Sequence, residues 1–229
     1  MEIQADVASR VIDTDQLGDV KYVGGVDVTH SDNNVAVAGL VVVDADDLHV
    51  VYQDTIVGEN SVPYVSSFLG FREVNLYVQL LQRMQNQVGY LPDIVLVDGN
   101  GVLHERQAGC ASHLGVVANI PTIGVSKKYY TYIPSLPSAE ELDHLWSEAL
   151  ARSEDQVFLQ DSSRVYGVAM RANTSSCRPI FVSIGHKISL QRAIDIVQKV
   201  AGKYRIPEPV RLADILTRKI LREHLIVDK

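Results

Sequence analysis

A continuous apolar run, Ile94–Val97, ends in an aspartate and constrains the fold of this chain more than any other stretch. Runs of this composition are typical of strands in a parallel sheet, because helices cover both faces of such a sheet. Asp98 closes the run, and the turn-type sequence Gly-Asn-Gly follows it at once. Ligands of α/β sheets gather at the carboxyl ends of the strands. The run therefore predicts a buried parallel strand that presents a carboxylate to a binding site.

The flanking segments predict a single mixed α/β domain over residues 1–229. Three β-branched runs come first, and the short turn-type connections between them imply antiparallel neighbours. Helical and extended periodicities then alternate along the rest of the chain. The predicted strands are 22–30, 34–45, 48–58, 92–98, 121–126, 164–172 and 178–185, and the predicted helices are 66–87, 108–119, 136–153, 189–203 and 206–225.

The composition of the chain is that of a globular protein in a reducing compartment. Its 229 residues include two cysteines without metal-type spacing and no apolar run near the roughly 20 residues of a membrane span. The N-terminus lacks the apolar core of an export signal, so we expect a protein of the cytoplasm or nucleus, not a secreted one. The net charge of −7 argues against an unselective coat on nucleic acid. Residues 164–229 nevertheless hold 13 Lys and Arg against 5 Asp and Glu, which suits either a phosphate backbone or solvated helix faces.

Two further carboxylates lie on elements that are predicted to be buried. Asp27 stands between valines in a predicted strand, and Glu73 lies on the apolar face of the predicted helix 66–87. An unpaired carboxylate in either place would cost on the order of several kcal/mol. Taken singly, Asp27 has an explanation as a turn residue and Glu73 as the partner of the adjacent Arg72. Together with Asp98, however, three acids on three buried elements indicate a shared cation.

An all-oxygen ligand set of this kind favours Mg²⁺, with Mn²⁺ as a substitute, over zinc. Carboxylate-held Mg²⁺ retains waters, so it activates a water and neutralises the charge of a phosphoryl group in one site. The sequence contains neither a Walker-type glycine-rich loop nor a GxSxG motif, which argues against an NTPase and a serine hydrolase. The residues alone therefore indicate a metal-dependent phosphodiesterase or phosphatase.

Six segments, in order along the chain, carry a further likeness. They are GGVDVTH, PYVSSFLGFRE, PDIVLVDGNGVLHERQAGCASHLG, PTIGVSKK, SIGHKISL and RIPEPVRLAD, and the likeness extends from about Tyr22 to Asp214. In these segments the chain resembles the endonuclease V family, inosine-directed nucleases with an RNase H-like fold. The resemblance implies a sheet whose first three strands are antiparallel and whose next two are parallel. It also implies Mg²⁺-dependent hydrolysis of the second phosphodiester bond 3′ to an inosine, which leaves 3′-hydroxyl and 5′-phosphate ends.

The resemblance also assigns roles to charged residues in these segments. Asp27 and Asp98 would bind Mg²⁺ directly, and Glu73 would be a third ligand or would position the metal-bound water. Asp214 occupies the family's fourth acidic position. Lys127 would steady the scissile phosphate or the attacking water.

Substrate contacts follow from the same resemblance. Tyr64, in the family's Pro-Tyr motif, would insert beside the extruded base and fill the gap in the stack. His104, also a candidate catalytic residue, and Arg106 would lie near the phosphates of the strand, and Arg72 would bind substrate beside Glu73. The base itself would enter a pocket lined by backbone, since glycines let the main chain approach a planar ligand closely. The predicted pocket residues are Leu69, Gly99, Gly101, Gly109 and Gly124.

Four positions call for separate comment. Asn100 stands where bacterial relatives usually have histidine, so the chain is closer to the eukaryotic branch, which is associated with inosine in RNA. We therefore expect RNA, or a ribose near the cut, to be favoured over DNA. His30 replaces a residue that is often aromatic, and the sequence offers no physical reason for it. His186 is expected to be a structural histidine that holds its loop, and His113 a core residue or one that supports the site from behind.

The leading hypothesis is thus a Mg²⁺-dependent endonuclease that acts on inosine-containing RNA or DNA, as a monomer and with no protein partner that the sequence reveals. The alternative from another class is an inosine-binding module that does not cleave. A third possibility is an RNase H-like nuclease with other substrates, such as junctions or flaps. Binding in EDTA without turnover in Mg²⁺ would identify the second, and equal cleavage of inosine and guanosine strands the third.

Overall fold

The structure, a computed structural model, describes residues 1–31, 34–59, 62–130, 132–152, 155–174 and 176–227. Within these ranges the strands are β1 Tyr22–His30, β2 Val35–Asp44, β3 Val50–Glu59, β4 Ile94–Asp98, β5 Thr122–Ser126, β6 Gln156–Gln160, β7 Val165–Met170 and β8 Ile180–His186. The helices are α1 Glu2–Arg10, α2 Gly70–Val88, α3 Cys110–Ala118, α4 Ala139–Ala151, α5 Leu190–Lys199 and α6 Glu208–Val227. Every predicted strand and helix is present, although residue 153 of the predicted helix 136–153 lies outside the described residues.

One sheet contains the eight described strands, in the order β3-β2-β1-β4-β5-β8-β7-β6. β1 pairs antiparallel with β2, and β2 pairs antiparallel with β3. β4 pairs parallel with β1, and β5 pairs parallel with β4. This order confirms the predicted RNase H-like sheet of three antiparallel strands followed by two parallel ones. Beyond β5 the sheet continues with β8, β7 and β6, all paired antiparallel.

Helices cover both faces of the sheet, as the apolar run of β4 predicts. One face carries α2 and α3, whose Leu80 and Leu114 join a core cluster with Leu40. The other face carries α5 and α6, and its cluster includes Ile194 and Leu96. β4 is therefore buried on both sides, and its carboxyl end is the part that approaches the surface.

The start of α6 lies directly on β1. A β-carbon at Gly25 would collide with the backbone of Pro209 and Val210, so only a glycine permits this approach. The close packing brings Asp214 of α6 next to the strand that carries Asp27. The glycine in β1 thus helps to assemble the acidic site.

Two elements are absent from the sequence prediction. α1 is short and mostly polar, and its buried residues are Gln4 and Val7. β6 is an edge strand in which Leu159 is the buried residue, so it lacks a clear alternation. α5 also ends earlier than predicted, at Lys199 in place of residue 203, because Gly202 follows and glycine disfavours helix. None of the described helices is long and apolar enough to cross a membrane.

Candidate active site

Three carboxylates from three different elements meet at the carboxyl end of β4. Asp27 lies in β1, Asp98 is the last residue of β4, and Asp214 lies in α6. Val26 is paired with Val97 across the parallel strands β1 and β4, so the aspartates that follow are neighbours. One carboxylate oxygen from each acid lies within 4.8 Å of the other two. The fold therefore assembles a compact acidic group from distant parts of the sequence.

Asp27 is the most enclosed member of this group, with 7% of its surface exposed. Burial and, next, the charge of Asp98 raise the pKa of Asp27 to about 7. Thr217 Oγ1 donates to Asp27 Oδ2 at 3.1 Å. Lys127 partly balances the negative charge, because its Nζ lies 2.5 Å from Asp98 Oδ2 and 3.6 Å from Asp214 Oδ1. The acids thus repel one another in a poorly solvated place.

The donor set of this group fits a hard divalent cation. It consists of carboxylate oxygens, the ligands that Mg²⁺ and Mn²⁺ prefer, without the thiolates and imidazoles that zinc favours. Among the described residues, Lys127 and Arg218 pair with these acids, which leaves the three carboxylates with excess negative charge. A bound divalent cation would relieve that excess and the repulsion that raises the pKa of Asp27.

Glu73 does not join the three aspartates. It is buried in the first turn of α2, where Tyr77 Oη donates to its Oε2 at 3.0 Å and His30 Nε2 lies 3.3 Å from its Oε1. Burial raises the pKa of Glu73. Of the three predicted metal ligands, Glu73 is the one that the structure leaves outside the group, and Asp214 stands in its place. The apolar helix face predicted its burial but not the direction of its carboxylate.

His30, at the end of β1, connects Glu73 to Arg72. Arg72 Nη2 donates to His30 Nδ1 at 3.4 Å, so Nε2 carries the proton that faces Glu73. The guanidinium carbon of Arg72 also lies 5.9 Å from the ring centroid of Tyr64. These contacts supply the physical reason for His30 that the sequence does not offer: the ring orients a buried carboxylate and an arginine at once.

A cavity of about 450 Å³ opens beside the acidic group. Asp98 and Lys127 belong to its lining, so the cavity and the carboxylates form one continuous site. Three of the five predicted pocket residues, Leu69, Gly99 and Gly109, line it as well. The cavity therefore has the position that the sequence predicts for the base pocket.

Gly101 and Gly124, the other two predicted pocket residues, support the cavity without lining it. A β-carbon at Gly101 would collide with the carbonyl of Ile184. A β-carbon at Gly124 would lie 2.7 Å from the carbonyl carbon of Asn100. These glycines are required because backbone packs on backbone beneath the loop that follows β4, and their part in lining a base pocket stays a prediction.

Tyr129, Tyr130 and Tyr132 line the same cavity and were not predicted. They follow Lys127 and Lys128 in the sequence, and Lys128 also belongs to the lining. Basic and aromatic side chains in combination are typical of surfaces that hold single-stranded nucleic acid. This short stretch was the signal from which the sequence could have identified them.

His104 and Arg106 are engaged with the protein itself. The Arg106 amide donates to His104 Nδ1 at 3.1 Å, so Nε2 carries the proton and donates to the carbonyl of Ser67 at 3.0 Å. Burial lowers the pKa of His104, which keeps its ring neutral. Arg106 Nε donates to Gln4 at 2.7 Å, and its Nη1 lies 2.6 Å from Glu105. Both residues hold the segment around Ser67, and their contact with phosphate stays a prediction.

Tyr64 is largely exposed, with 66% of its surface accessible, and it lines the cavity at the same time. Val62, Val65 and Phe71 near it in sequence are exposed too. The Tyr64 ring is therefore free of core packing and borders the cavity, and its role as a wedge beside an extruded base stays a prediction.

The remaining two histidines of interest, His186 and His113, have contacts within the protein itself. His186 is buried and its Nδ1 accepts the amide hydrogen of Ile12 at 3.2 Å. Burial and, next, the charge of Lys187 lower the pKa of His186 to about 4. His113 packs edge-on against Phe71 with ring centroids 5.2 Å apart.

A sheet of RNase H-like order that brings three carboxylates and a lysine to the edge of an open cavity defines a nuclease of the RNase H-like class. The comparisons with known proteins agree with this class. The chain belongs to the Endonuclease V family, because the sequence model of that family matches residues 5–215.

Similar proteins cover nearly the whole chain. Endonuclease V of Mus musculus is 40% identical to this chain, and the match covers 97% of this chain and 68% of the mouse protein. Endonuclease V of Homo sapiens is 37% identical, and the match covers 97% of this chain and 82% of the human protein. The crystal structure of Ciona intestinalis Endonuclease V, in complex with DNA containing an inosine followed by a ribo-adenosine, has a TM-score of 0.93 and 35% identity. The structural match covers 97% of this chain and 95% of the Ciona chain. The protein is therefore an endonuclease, and its relatives include those of the eukaryotic branch, as predicted.

Proposed function

We propose that this protein is a Mg²⁺-dependent endonuclease, with Mn²⁺ as a substitute, that hydrolyses the second phosphodiester bond 3′ to an inosine and leaves 3′-hydroxyl and 5′-phosphate ends. The observation that carries the proposal is the convergence of three aspartates and Lys127 at one edge of an open cavity. Membership of the family and the inosine-containing ligand of the Ciona relative support the choice of substrate. We expect the enzyme to act as a monomer in the cytoplasm or nucleus.

Asp27, Asp98 and Asp214 would hold the cation through their clustered oxygens. When bound, Mg²⁺ would supply an activated water and neutralise charge on the scissile phosphate. Because the pKa of Asp27 is raised to about 7, the acidic group binds a proton near neutral pH when no cation is present. Cation and proton therefore compete for Asp27.

Glu73 would take a proton from the attacking water. Burial raises its pKa, and a carboxylate with a raised pKa is a better base near neutral pH. His30 and Tyr77 each hold one of its two oxygens by a hydrogen bond. A carboxylate fixed in this way orients a water without becoming a ligand itself, which is the second of the two roles that the resemblance allows.

Lys127 would steady the scissile phosphate. Burial lowers the pKa of its ammonium, but the charges of Asp98 and Asp214 outweigh burial, so the pKa lies above its ordinary value. The group therefore stays charged throughout the neutral range. A fixed positive charge where negative charge develops stabilises the transition state of hydrolysis.

The base of the inosine would occupy the cavity. A base inside a stack cannot be read on its Watson–Crick edge, so recognition requires that it be turned out of the strand. Tyr64, Leu69, Gly99 and Gly109 line this cavity. Tyr64 would fill the gap in the stack, and the backbone of the other three residues would face the base. Peptide groups offer both donors and acceptors to hypoxanthine.

We favour RNA, or a ribose near the cut, over DNA. Asn100, the residue that brings the sequence closer to the eukaryotic branch, lines the cavity two residues after Asp98, and its side-chain nitrogen would donate to a 2′-hydroxyl. The Ciona relative is crystallised with an inosine followed by a ribo-adenosine, which supports a ribose next to the inosine.

Four end-labelled strands of one sequence test the proposal: riboinosine, deoxyinosine, deoxyinosine followed by one ribonucleotide, and a guanosine control. We expect Mg²⁺-dependent cutting at the second bond 3′ to inosine, fastest where a ribose is present, and none in EDTA or with Asp98→Asn. Equal cutting of the guanosine strand would refute the specificity. Tight binding of the inosine strands without turnover would identify a non-cleaving inosine reader instead.

A further inference from the structure

Three side chains donate to a single backbone oxygen, the carbonyl of Ser67, in the segment that carries Tyr64. Gln4 Nε2 lies 2.7 Å from this oxygen, His104 Nε2 3.0 Å and Arg106 Nη2 3.3 Å. We refer to Gln4, His104 and Arg106 as the Ser67 clamp. Ser67 itself has a φ of 68°, in the left-handed region that non-glycine residues rarely adopt. The clamp thus holds a backbone that has little intrinsic preference for its own conformation.

Gln4 connects the clamp to the rest of the fold. It is 2% exposed, although it lies in a short polar helix. The orientation of its amide is dictated by its partners: Arg106 Nε can only donate, so Oε1 faces it at 2.7 Å, and Nε2 faces the carbonyl. Val7, one turn further along α1, packs against Val116 of α3. The helix therefore ties the clamp to α3.

The clamp fixes the backbone behind Tyr64. Ser67 Oγ lies 2.7 Å from Tyr130 Oη, and the ring of Phe68 lies 4.7 Å from the guanidinium carbon of Arg106. Tyr64 is three residues earlier and largely exposed. Core packing does not position a ring of this exposure. Apart from the guanidinium of Arg72, its position therefore depends on how firmly the adjacent backbone is held.

We propose that Gln4 is a positioning residue for Tyr64 and so determines how well the enzyme discriminates inosine. The inference rests on the proposed function, because it requires a base to be extruded beside Tyr64. It gives α1 a part in substrate recognition, although none of the residues of this helix lines the cavity.

The test uses one sharp variant and one matched control. Gln4→Glu keeps an acceptor for Arg106 and replaces the donor to Ser67 by a second acceptor. Ser9→Ala removes an exposed hydrogen bond within the same helix. We expect Gln4→Glu to lower the ratio of inosine to guanosine cutting by about 5- to 10-fold, as the loss of one hydrogen bond allows. Ser9→Ala should keep the ratio of inosine to guanosine cutting rates within about twofold of the wild-type ratio.

A Tyr64→Ala background separates positioning from general support of the fold. If Gln4 acts through Tyr64, Gln4→Glu should lower the ratio no further once the ring is absent, because the two effects are not additive. The same loss in both backgrounds would overturn the proposal. Equal loss on inosine and guanosine strands would overturn it too, since that result describes a merely destabilised enzyme.

Amide hydrogen exchange over residues 62–68 gives a readout that does not depend on inosine. We expect about tenfold faster exchange there in Gln4→Glu than in the wild type or Ser9→Ala, with protection of β1 and β4 unchanged. An unchanged exchange rate over residues 62–68 would show that Gln4 does not hold this segment and would overturn the proposal. Equal cutting of inosine and guanosine strands by the wild type would count against the proposed function alone, and the exchange result would still decide on the clamp.

Discussion

Lys127 Nζ lies 2.5 Å from Asp98 Oδ2, so the lysine that directly follows β5 is hydrogen-bonded to the carboxylate that ends β4. The same ammonium is 3.6 Å from Asp214 Oδ1. Lys127 therefore supplies positive charge where the acids crowd together. It also lines the cavity, which places that charge within reach of a bound strand.

Lys127→Met should lower kcat by roughly 100-fold with a small change in KM. The variant keeps the length of the side chain but removes a charge that acts on the developing negative charge of the phosphate. Single-turnover cutting of an inosine strand measures this directly. Lys128→Met, at the exposed neighbouring position, is the matched control, and equal effects of the two substitutions would contradict the role of Lys127.

Asp214→Asn and Glu73→Gln should separate metal binding from proton transfer. Asp214 belongs to the acidic group, so Asp214→Asn should weaken Mn²⁺ binding by roughly 100-fold. Glu73 lies outside the group, so Glu73→Gln should leave Mn²⁺ affinity within about threefold while kcat falls by roughly 100-fold or more. Isothermal titration with Mn²⁺ and cutting assays provide the two readouts. Strong loss of Mn²⁺ binding in Glu73→Gln would make Glu73 a ligand.

Asp27→Asn should stabilise the metal-free protein most at high pH. The pKa of Asp27 rises from 3.8 to about 7 on folding, so the fold favours the protonated carboxyl. Its ionisation opposes folding progressively between about pH 4 and 7 and fully above pH 7. In EDTA, Asp27→Asn should therefore raise Tm by several degrees at pH 8, with a smaller gain at pH 5. A gain in Tm that is larger at pH 5 than at pH 8 would contradict the raised pKa of Asp27.

Tyr64→Ala should lower the cutting rate of inosine strands without destabilising the fold. The side chain is 66% exposed, so its removal should change the free energy of unfolding by no more than about 0.5 kcal/mol. Loss of stacking on a base should cost roughly 1–3 kcal/mol of transition-state stabilisation on inosine strands. Tyr64→Phe retains the ring and should retain the rate. An equally inactive Tyr64→Phe would assign the effect to the hydroxyl and not to stacking.

Much of the fold could be predicted because its periodicities are local. The run Ile94–Val97 identifies a strand buried on both faces, and the short connections among β1, β2 and β3 determine their antiparallel pairing. α1 could not be predicted from the sequence because its place depends on long-range contacts of Gln4 and Val7. β6 could not be predicted because it is an edge strand with one buried residue, Leu159, and its sequence therefore shows little hydrophobic alternation.

The site was predicted less completely than the fold. Asp27 and Asp98 could be identified because each interrupts an apolar strand. Asp214 lies in an amphipathic helix where an acid is unremarkable, so only the family resemblance indicated it. The partners of His104 and Arg106 lie in other segments, and no local pattern shows that their polar atoms are directed inward.

A crystal soaked in Mn²⁺ tests the central claim most directly. An anomalous difference map should show a peak at a distance of roughly 2.0–2.3 Å from one oxygen each of Asp27, Asp98 and Asp214. The peak should be absent from Asp98→Asn crystals treated in the same way. A map of the active protein at saturating Mn²⁺ with no peak among these three carboxylates, or with the ion bound elsewhere, would contradict the account.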